Sequence, residues 1–407
     1  MSAELLHQMI EKLTPFQAYG LIAFVVTVFA TPLAAAAARR FGVMDLPDTH
    51  LKPHARPTPY LGGAAICLGW AAALSAAMAW GHVELRLMLP IMLGGIAISI
   101  IGLVDDVREV PPKWRLLIGT VIIAAVLLSS GTGFRLVDSL LRPMARSTDW
   151  WGLAAFGLTP AWLDAQPQRT IITILSVVIS VFVVLGAVNS TNLIDGLNGL
   201  CTGVTGIISL GFFLLAGYLA AFEYSRTGDP VRLVISIAMF GAAMGFLPLN
   251  FYGKIFMGDA GSVLLGYTCG IMILLFAEKG IFRWVIGALM IFALPIFDTA
   301  LAMFRRWRAG RSIFEGDRSH FYDQLVQRGL SVRQTVLVCY LLAIVFTATG
   351  LMVIEVSTRW ALLAYLGVCS LTTILAFATG LTTPEEPRRA AKLDAPKPER
   401  DADREKD

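Results

Sequence analysis

Apolar runs of roughly 20 residues recur along this 407-residue chain, separated by polar breaks that are mostly short, and no other feature constrains the fold as tightly. The runs read as Ala18 to Ala38, Gly62 to Trp80, Leu85 to Val104, Leu116 to Ser130, Thr170 to Val188, Leu200 to Phe222, Val231 to Leu249, Ser262 to Ala277, Phe282 to Phe304, Gln334 to Val356 and Trp360 to Gly380. Backbone N–H and C=O groups cannot stay unpaired in lipid, so each run is expected to close its own hydrogen bonds as a helix. The expected fold is an all-α polytopic membrane protein with about eleven transmembrane helices. A composition that is 56% hydrophobic and 15% charged excludes an ordinary soluble domain. The first run is not a cleavable leader, because mixed charge precedes it and Arg39-Arg40 follow it. Cys67, Cys201, Cys269, Cys339 and Cys369 sit singly in apolar runs and read as small core residues, without disulfide or metal spacing.

Lysine and arginine counts in alternate loops set the expected orientation. Arg39, Arg40, Lys52 and Arg56, then Arg108, Lys113 and Arg115, then Lys254, then the arginines from Arg305 to Arg333 fall on one side, with Arg388, Arg389 and Lys392 in the tail. That side is expected to be cytoplasmic, which puts the N-terminus outside and the C-terminus in the cytoplasm. The loop from Gly131 to Arg169, with Trp150, Trp151 and Trp162, then lies outside against the interface. Residues 1–380 read as one membrane domain, with Met1 to Gln17 an external amphipathic lead-in. Residues 381–407, rich in proline and charge, read as a disordered cytoplasmic tail.

Chemistry concentrates in the polar breaks of the cytoplasmic side. In Phe256-Met257-Gly258-Asp259-Ala260-Gly261-Ser262, glycines flank an aspartate where an apolar run resumes, an arrangement suited to a metal-bound phosphate or simply to a capped turn. Asp105-Asp106 end the third run, where two carboxylates repel each other and face a negative helix terminus. Arg108, Lys113 and Arg115, or a bound Mg²⁺, would compensate them. Asn189, Asn192, Asp195 and Asn198 would be costly in lipid and must line a polar cavity; on a continuous helix Asn192, Asp195 and Asn198 share one face. Asp298 lies inside the ninth run, where a buried salt bridge is expected. Arg305 to Arg311 suit anionic lipid heads, whereas Arg318 and His320 in the following turn suit a diphosphate. Lys52, His54 and Arg56 in the first proline-rich loop read first as positive-inside charge and second as an anion site.

Taken together, the segments from Asp105, Asn189, Phe256 and Asp317 resemble the four cytoplasmic motifs of the polyprenyl-phosphate N-acetylhexosamine-1-phosphate transferases. This membrane family includes the bacterial undecaprenyl-phosphate GlcNAc-1-phosphate transferase and the phospho-MurNAc-pentapeptide transferase. The resemblance runs from Asp45 to Gly329 and implies catalytic roles for Asp105, Asp106, Asp195 and His320, and Mg²⁺ ligation, with Mn²⁺ as a substitute, by Asn192 and Asp259. It implies substrate contacts by Lys52, His54, Lys113, Arg115 and Arg318, with Asn198, Asn250 and Phe256 near uridine. Three positions depart from the usual pattern: Glu109 and Asn198 stand where Asp is common, and Asp323 where a second His is usual. The last departure argues against the peptidoglycan branch.

The implied reaction moves N-acetylhexosamine 1-phosphate, most simply GlcNAc-1-phosphate, from a UDP-sugar to undecaprenyl or another polyprenyl phosphate, releasing UMP. It would start a lipid-linked cell-envelope glycan at the cytoplasmic face of a bacterial plasma membrane. Another UDP-HexNAc or UDP-MurNAc-pentapeptide is the alternative donor. A homodimer is implied by the resemblance alone, and no nucleic-acid partner is expected. An acceptor phosphate with its second pKa near ~6 is already mostly dianionic at neutral pH. A single in-line displacement is therefore expected, with neither Asp105 nor Asp106 as nucleophile. An ion-coupled secondary transporter is the competing class, but its carboxylates belong near the bilayer midplane, whereas these fall at span ends. A catalytically silent lipid-binding relative is a third reading.

Overall fold

The computed structural model describes residues 3–45, 57–108, 110–146, 153, 157–221, 229–278, 281–310 and 320–380. Helix α1 (Ala3–Leu13) leads through a short 3-10 turn into α2 (Gln17–Phe41). Strands β1 (Met44–Asp45) and β2 (Thr58–Pro59) pair antiparallel, Met44 opposite Pro59, and so bring together the two ends of the first polar loop. Next come α3 (Gly62–Ala79), α4 (Leu85–Arg108), α5 (Pro112–Ser130), α6 (Leu136–Arg146), α7 (Pro160–Asp164), α8 (Gln168–Leu193), α9 (Leu200–Ala221) and α10 (Asp229–Phe251). The chain continues with α11 (Gly258–Ala277), α12 (Phe282–Ile291), α13 (Ala293–Arg308), α14 (Phe321–Gln327), α15 (Val332–Val353) and α16 (Thr358–Ala378).

Ten of these helical stretches are long and apolar enough to cross a membrane, and α12 with α13 makes up to 11 if the bent pair is one span. The ninth apolar run is thus not the straight helix its hydropathy suggests, for it turns by 71° between Ile291 and Ala293. Pro295 accounts for the break: it has no N–H for the carbonyl of Ile291, and its ring would collide with that carbonyl in a continuous helix. The other runs appear within a few residues of their expected bounds. The amphipathic lead-in is also present as α1, which buries Met9 and Leu13, the latter against Gly217 of α9.

At the centre stands α11, in which every residue from Ala260 to Ala277 is buried. Apolar burial drives no association in lipid, so this helix is held by close backbone approach. Glycines make that approach: a Cβ added at Gly266 would lie 2.6 Å from the Ala187 carbonyl oxygen, and one at Gly270 would lie 2.8 Å from Val184 Cα, both on α8. Helix α8 shows the opposite pattern outward. Ile171, Ile174, Leu175, Val178 and Phe182 form an exposed stripe at helical spacing, while Ser176, Ser180 and Val184 face inward. The five cysteines are free, with Cys201, Cys269 and Cys339 buried as expected.

Candidate active site

The site forms where the end of α4, the start of α5, the end of α8 and the start of α11 meet. Gly258 opens α11 with φ +69°, and a Cβ there would lie 2.5 Å from Asp106 Oδ2, so only glycine suits both the dihedral and the contact. Asp106 Oδ1 accepts the Asp259 N–H at 2.8 Å, and its Oδ2 accepts the Ala260 N–H at 3.2 Å. The carboxylate that the end of α4 disfavours is therefore compensated by the start of α11, through hydrogen bonds and the helix dipole together.

Asp105 is held differently. Its Oδ1 accepts the Val110 N–H at 2.7 Å, and its Oδ2 pairs with Arg115 Nη1, which also reaches Asp259 Oδ2 at 3.0 Å. Of the cations expected to offset the Asp pair, Arg115 does so. Arg108 and Lys113 are exposed and make no ion pair among the described residues. Asn192 donates through Nδ2 to Asp259 Oδ1 at 2.9 Å and to Ser262 Oγ at 3.0 Å, which leaves its own Oδ1 for a ligand.

The shared polar face expected for Asn192, Asp195 and Asn198 is not helical, because α8 stops at Leu193 and the chain turns. Asp195 still joins the cluster: burial, then the negative charges of Asp259 and Asp106, push its carboxyl up to about 8, although the residue keeps some exposed surface. Asn198 packs over the turn at Gly253, whose Cβ position lies 2.7 Å from Asn198 Nδ2. Asn250, 3% exposed, is committed to its own chain. It accepts from Gly199 N–H and Thr202 Oγ1, each at 3.0 Å, and donates to the Ile255 carbonyl at 3.1 Å.

Tyr60 belongs to the site, although no sequence motif marks it. Main-chain bonds from Phe256 N–H to Pro59 O (2.9 Å) and from Gly62 N–H to Phe256 O (3.0 Å) tie its segment to the start of α11. Its ring meets that of Phe256 edge-on at 6.4 Å. Burial, and after it the charges of Asp106, Asp259 and Asp195, hold its hydroxyl far above the usual tyrosine range, so the phenol is neutral beside the carboxylates. A β1–β2 pairing brought by chain topology, with no local motif, places it there.

On the other flank, buried His320 and buried Asp298 pair at 2.7 Å, a hydrogen-bonded contact that is the expected salt bridge only when the imidazole is protonated. The His320 ring stacks on Tyr322, whose hydroxyl donates to the Leu193 carbonyl at 2.9 Å. Lys52, His54 and Arg318 lie outside the described residues, as do Glu109, Trp150, Trp151 and the tail. An apolar groove between α4, α5 and α8, walled by Ile98, Ile101, Leu116, Ile123, Leu185 and Val188, ends in the polar atoms of Arg115, Asn189 and Asn192.

Among the described residues no group of three or more His, Cys, Asp or Glu side chains is placed to hold a metal ion. The donor set nevertheless fits a hard divalent cation. Asp105 and Asp259 share Arg115, Asn192 bonds Asp259, and Asp106 and Asp195 add their carboxyl groups beside Asp259, so the acidic groups outnumber the one paired arginine.

Residues 88–277 match glycosyl transferase family 4. The chain is 30% identical over 347 residues to the "Probable undecaprenyl-phosphate N-acetylglucosaminyl 1-phosphate transferase" of Bacillus subtilis, covering 83% of this chain and 86% of that one. It is 31% identical over 348 residues to the decaprenyl-phosphate N-acetylglucosaminephosphotransferase of Mycolicibacterium smegmatis, covering 79% and 78%. Over 319 residues it is 27% identical to the undecaprenyl-phosphate alpha-N-acetylglucosaminyl 1-phosphate transferase of Yersinia pestis, covering 76% and 77%. The protein is thus a multi-pass membrane transferase. It belongs to the polyprenyl-phosphate N-acetylhexosamine-1-phosphate transferase family.

Proposed function

We propose that the protein transfers GlcNAc-1-phosphate from UDP-GlcNAc to undecaprenyl or a similar polyprenyl phosphate, releasing UMP, at the cytoplasmic face of a bacterial plasma membrane. The supporting observation is the junction of Arg115, Asn189 and Asn192 with an apolar groove on one side and the acidic cluster on the other. An acceptor with a phosphate head and an isoprenoid tail matches those two surfaces. The similarity to relatives named for that reaction supports it further.

Asp105, Asp106, Asn192, Asp195 and Asp259 would hold Mg²⁺, or Mn²⁺ in its place, which when bound neutralises the donor diphosphate and the leaving UMP. Arg115 offers the acceptor phosphate a guanidinium already positioned by Asp105 and Asp259. An acceptor oxygen forms a bond to the sugar-bearing phosphorus as that phosphorus loses its bond to the UMP oxygen. A covalent relay through Asp105 or Asp106 is disfavoured because it would bring a further negative charge to the donor diphosphate; the one hydrogen bond on each of their oxygens lowers nucleophilicity while leaving lone pairs for a cation. Tyr60 presents a neutral phenol as a donor to a phosphate oxygen, and Phe256 beside it offers a flat apolar surface to the base.

The test is purified protein in detergent with UDP-GlcNAc and undecaprenyl phosphate. UMP and lipid-linked GlcNAc are expected in equal amounts, both abolished by EDTA and restored by Mg²⁺. Absence of UMP, or UMP release that ignores the lipid, would sink the proposal.

A further inference from the structure

The buried pair on the flank of the site carries an inference about how His320 is used, one that rests on the transferase reading above. Asp298 is 1% exposed and His320 4%, so neither partner is a surface ion pair. Asp298 lies on α13, beyond the 71° bend, and both of its oxygens are directed at the start of α14. Its Oδ1 accepts the Phe321 N–H at 2.9 Å, and its Oδ2 lies 2.7 Å from His320 Nδ1. A carboxylate has only acceptor sites, so this contact places the imidazole hydrogen on Nδ1. Two further contacts fix the plane of the ring. Tyr322 stacks on it with 5.4 Å between centroids and 8° between planes, and the Tyr322 hydroxyl is anchored on Leu193, one residue before the turn that carries Asp195.

We infer that Asp298 is a positioning residue for the transfer reaction, holding His320 in the Nδ1–H form so that any proton or hydrogen bond His320 exchanges with a substrate phosphate passes through Nε2. Capping the start of α14 would need only the Phe321 N–H. The second oxygen, spent on a buried imidazole, marks the histidine as the group being oriented. The sequence separates the two residues by 22 positions, so no local motif joins them.

Protein with 15N-labelled histidine in detergent micelles tests this without turnover, with a His320→Gln sample assigning the signals. The His320 spectrum is expected to show a protonated Nδ1. A neutral ring with the hydrogen on Nε2 and a bare Nδ1 would overturn the inference, whatever the variants do. In Asp298→Asn the amide oxygen can still accept Phe321 N–H, but its NH₂ then faces Nδ1 and the tautomer reverses. Turnover is expected to fall about 10- to 100-fold with the KM for UDP-GlcNAc unchanged, and Asp298→Glu to recover part of it. Introduced into His320→Gln, Asp298→Asn is expected to cost nothing more, because the two act as one unit. Full activity of Asp298→Asn, or an undiminished further loss in the double variant, would show that Asp298 does not work through His320. Failure of the wild-type protein to release UMP would instead overturn the transferase reading and leave the tautomer result standing.

Discussion

Asp106 closes the first turn of the helix that carries Asp259: the side chain of one accepts the backbone N–H of the other at 2.8 Å across 153 residues of sequence. The same contact that caps α11 also fixes the separation of two acidic groups, so stability and site geometry share one bond.

Replacing Asp106 separates these two contributions. Asp106→Asn keeps an oxygen for one N–H and is expected to melt close to wild type, while Asp106→Ala loses about 1 kcal/mol of capping. Both are expected to lose at least about 100-fold in turnover, by analogy with the removal of one preorganised charge from a phosphoryl-transfer site. Thermal melting and UMP release on the same samples decide it. Near wild-type turnover in Asp106→Asn would remove this residue from the chemistry.

Asp195 predicts a dependence on pH in the metal-free protein. Burial and the charges of Asp259 and Asp106 push its folded carboxyl up to about 8, above the ordinary value of ~3.9, so the folded state binds more protons than the unfolded state between those limits. Stability is then highest below the unfolded value and falls as pH rises through the folded one. Melting temperature in EDTA is expected to decline from pH 6 to pH 9 (about the upper part of that window). Asp195→Asn, or added Mg²⁺, is expected to flatten the decline; a flat wild-type profile in EDTA would contradict the acidic excess.

Tyr60 offers a cleaner test because its hydroxyl is not part of the framework. Tyr60→Phe keeps the ring on Phe256 and is expected to melt as wild type, while kcat/KM falls about tenfold, the worth of one hydrogen bond to a charged group. An unchanged kcat/KM would place the phenol outside the substrate contacts.

Close packing gives a pair of opposite outcomes. A Cβ at Gly63 would lie 2.2 Å from the Gly261 nitrogen, a backbone atom that cannot step aside, whereas one at Gly186 meets nothing within 4 Å. Gly63→Ala is expected to cost about 1–3 kcal/mol by overpacking and to disturb the nearby site. Gly186→Ala is expected to be neutral or slightly stabilising, as for an exposed helical glycine. Melting of the two single variants checks both.

Sidedness is testable with single cysteines at exposed positions of a cysteine-free variant. A cysteine at Lys254 is expected to react only from the cytoplasmic side and one at Asp164 only from outside. The reverse pattern would overturn both the orientation and the placement of the site.

Most helices were legible because apolar runs in lipid have one backbone solution, and the acidic motifs were legible because charge at a span end is costly. Other features depended on contacts that no local window contains. The bend at Phe292 was signalled by Pro295, yet the hydropathy runs through it unbroken. The stop of α8 at Leu193 was hidden because asparagines at i and i+3 suit a helix as well as a turn. The capping of α11 by Asp106, the approach of Tyr60 and the pairing of Asp298 with His320 all join residues distant in sequence.

The complete enclosure of α11 has a consequence for how such chains diverge. A helix facing lipid can exchange leucine for isoleucine or phenylalanine on its outer side without meeting a neighbour, but α11 has no outer side. Each of its positions answers to another helix, so drift there requires a matching change elsewhere. Because Asp259 sits in its first turn, the acidic site is tied to the stretch of the molecule with the least freedom to vary, while lipid-facing surfaces such as that of α8 can change with the membrane they inhabit.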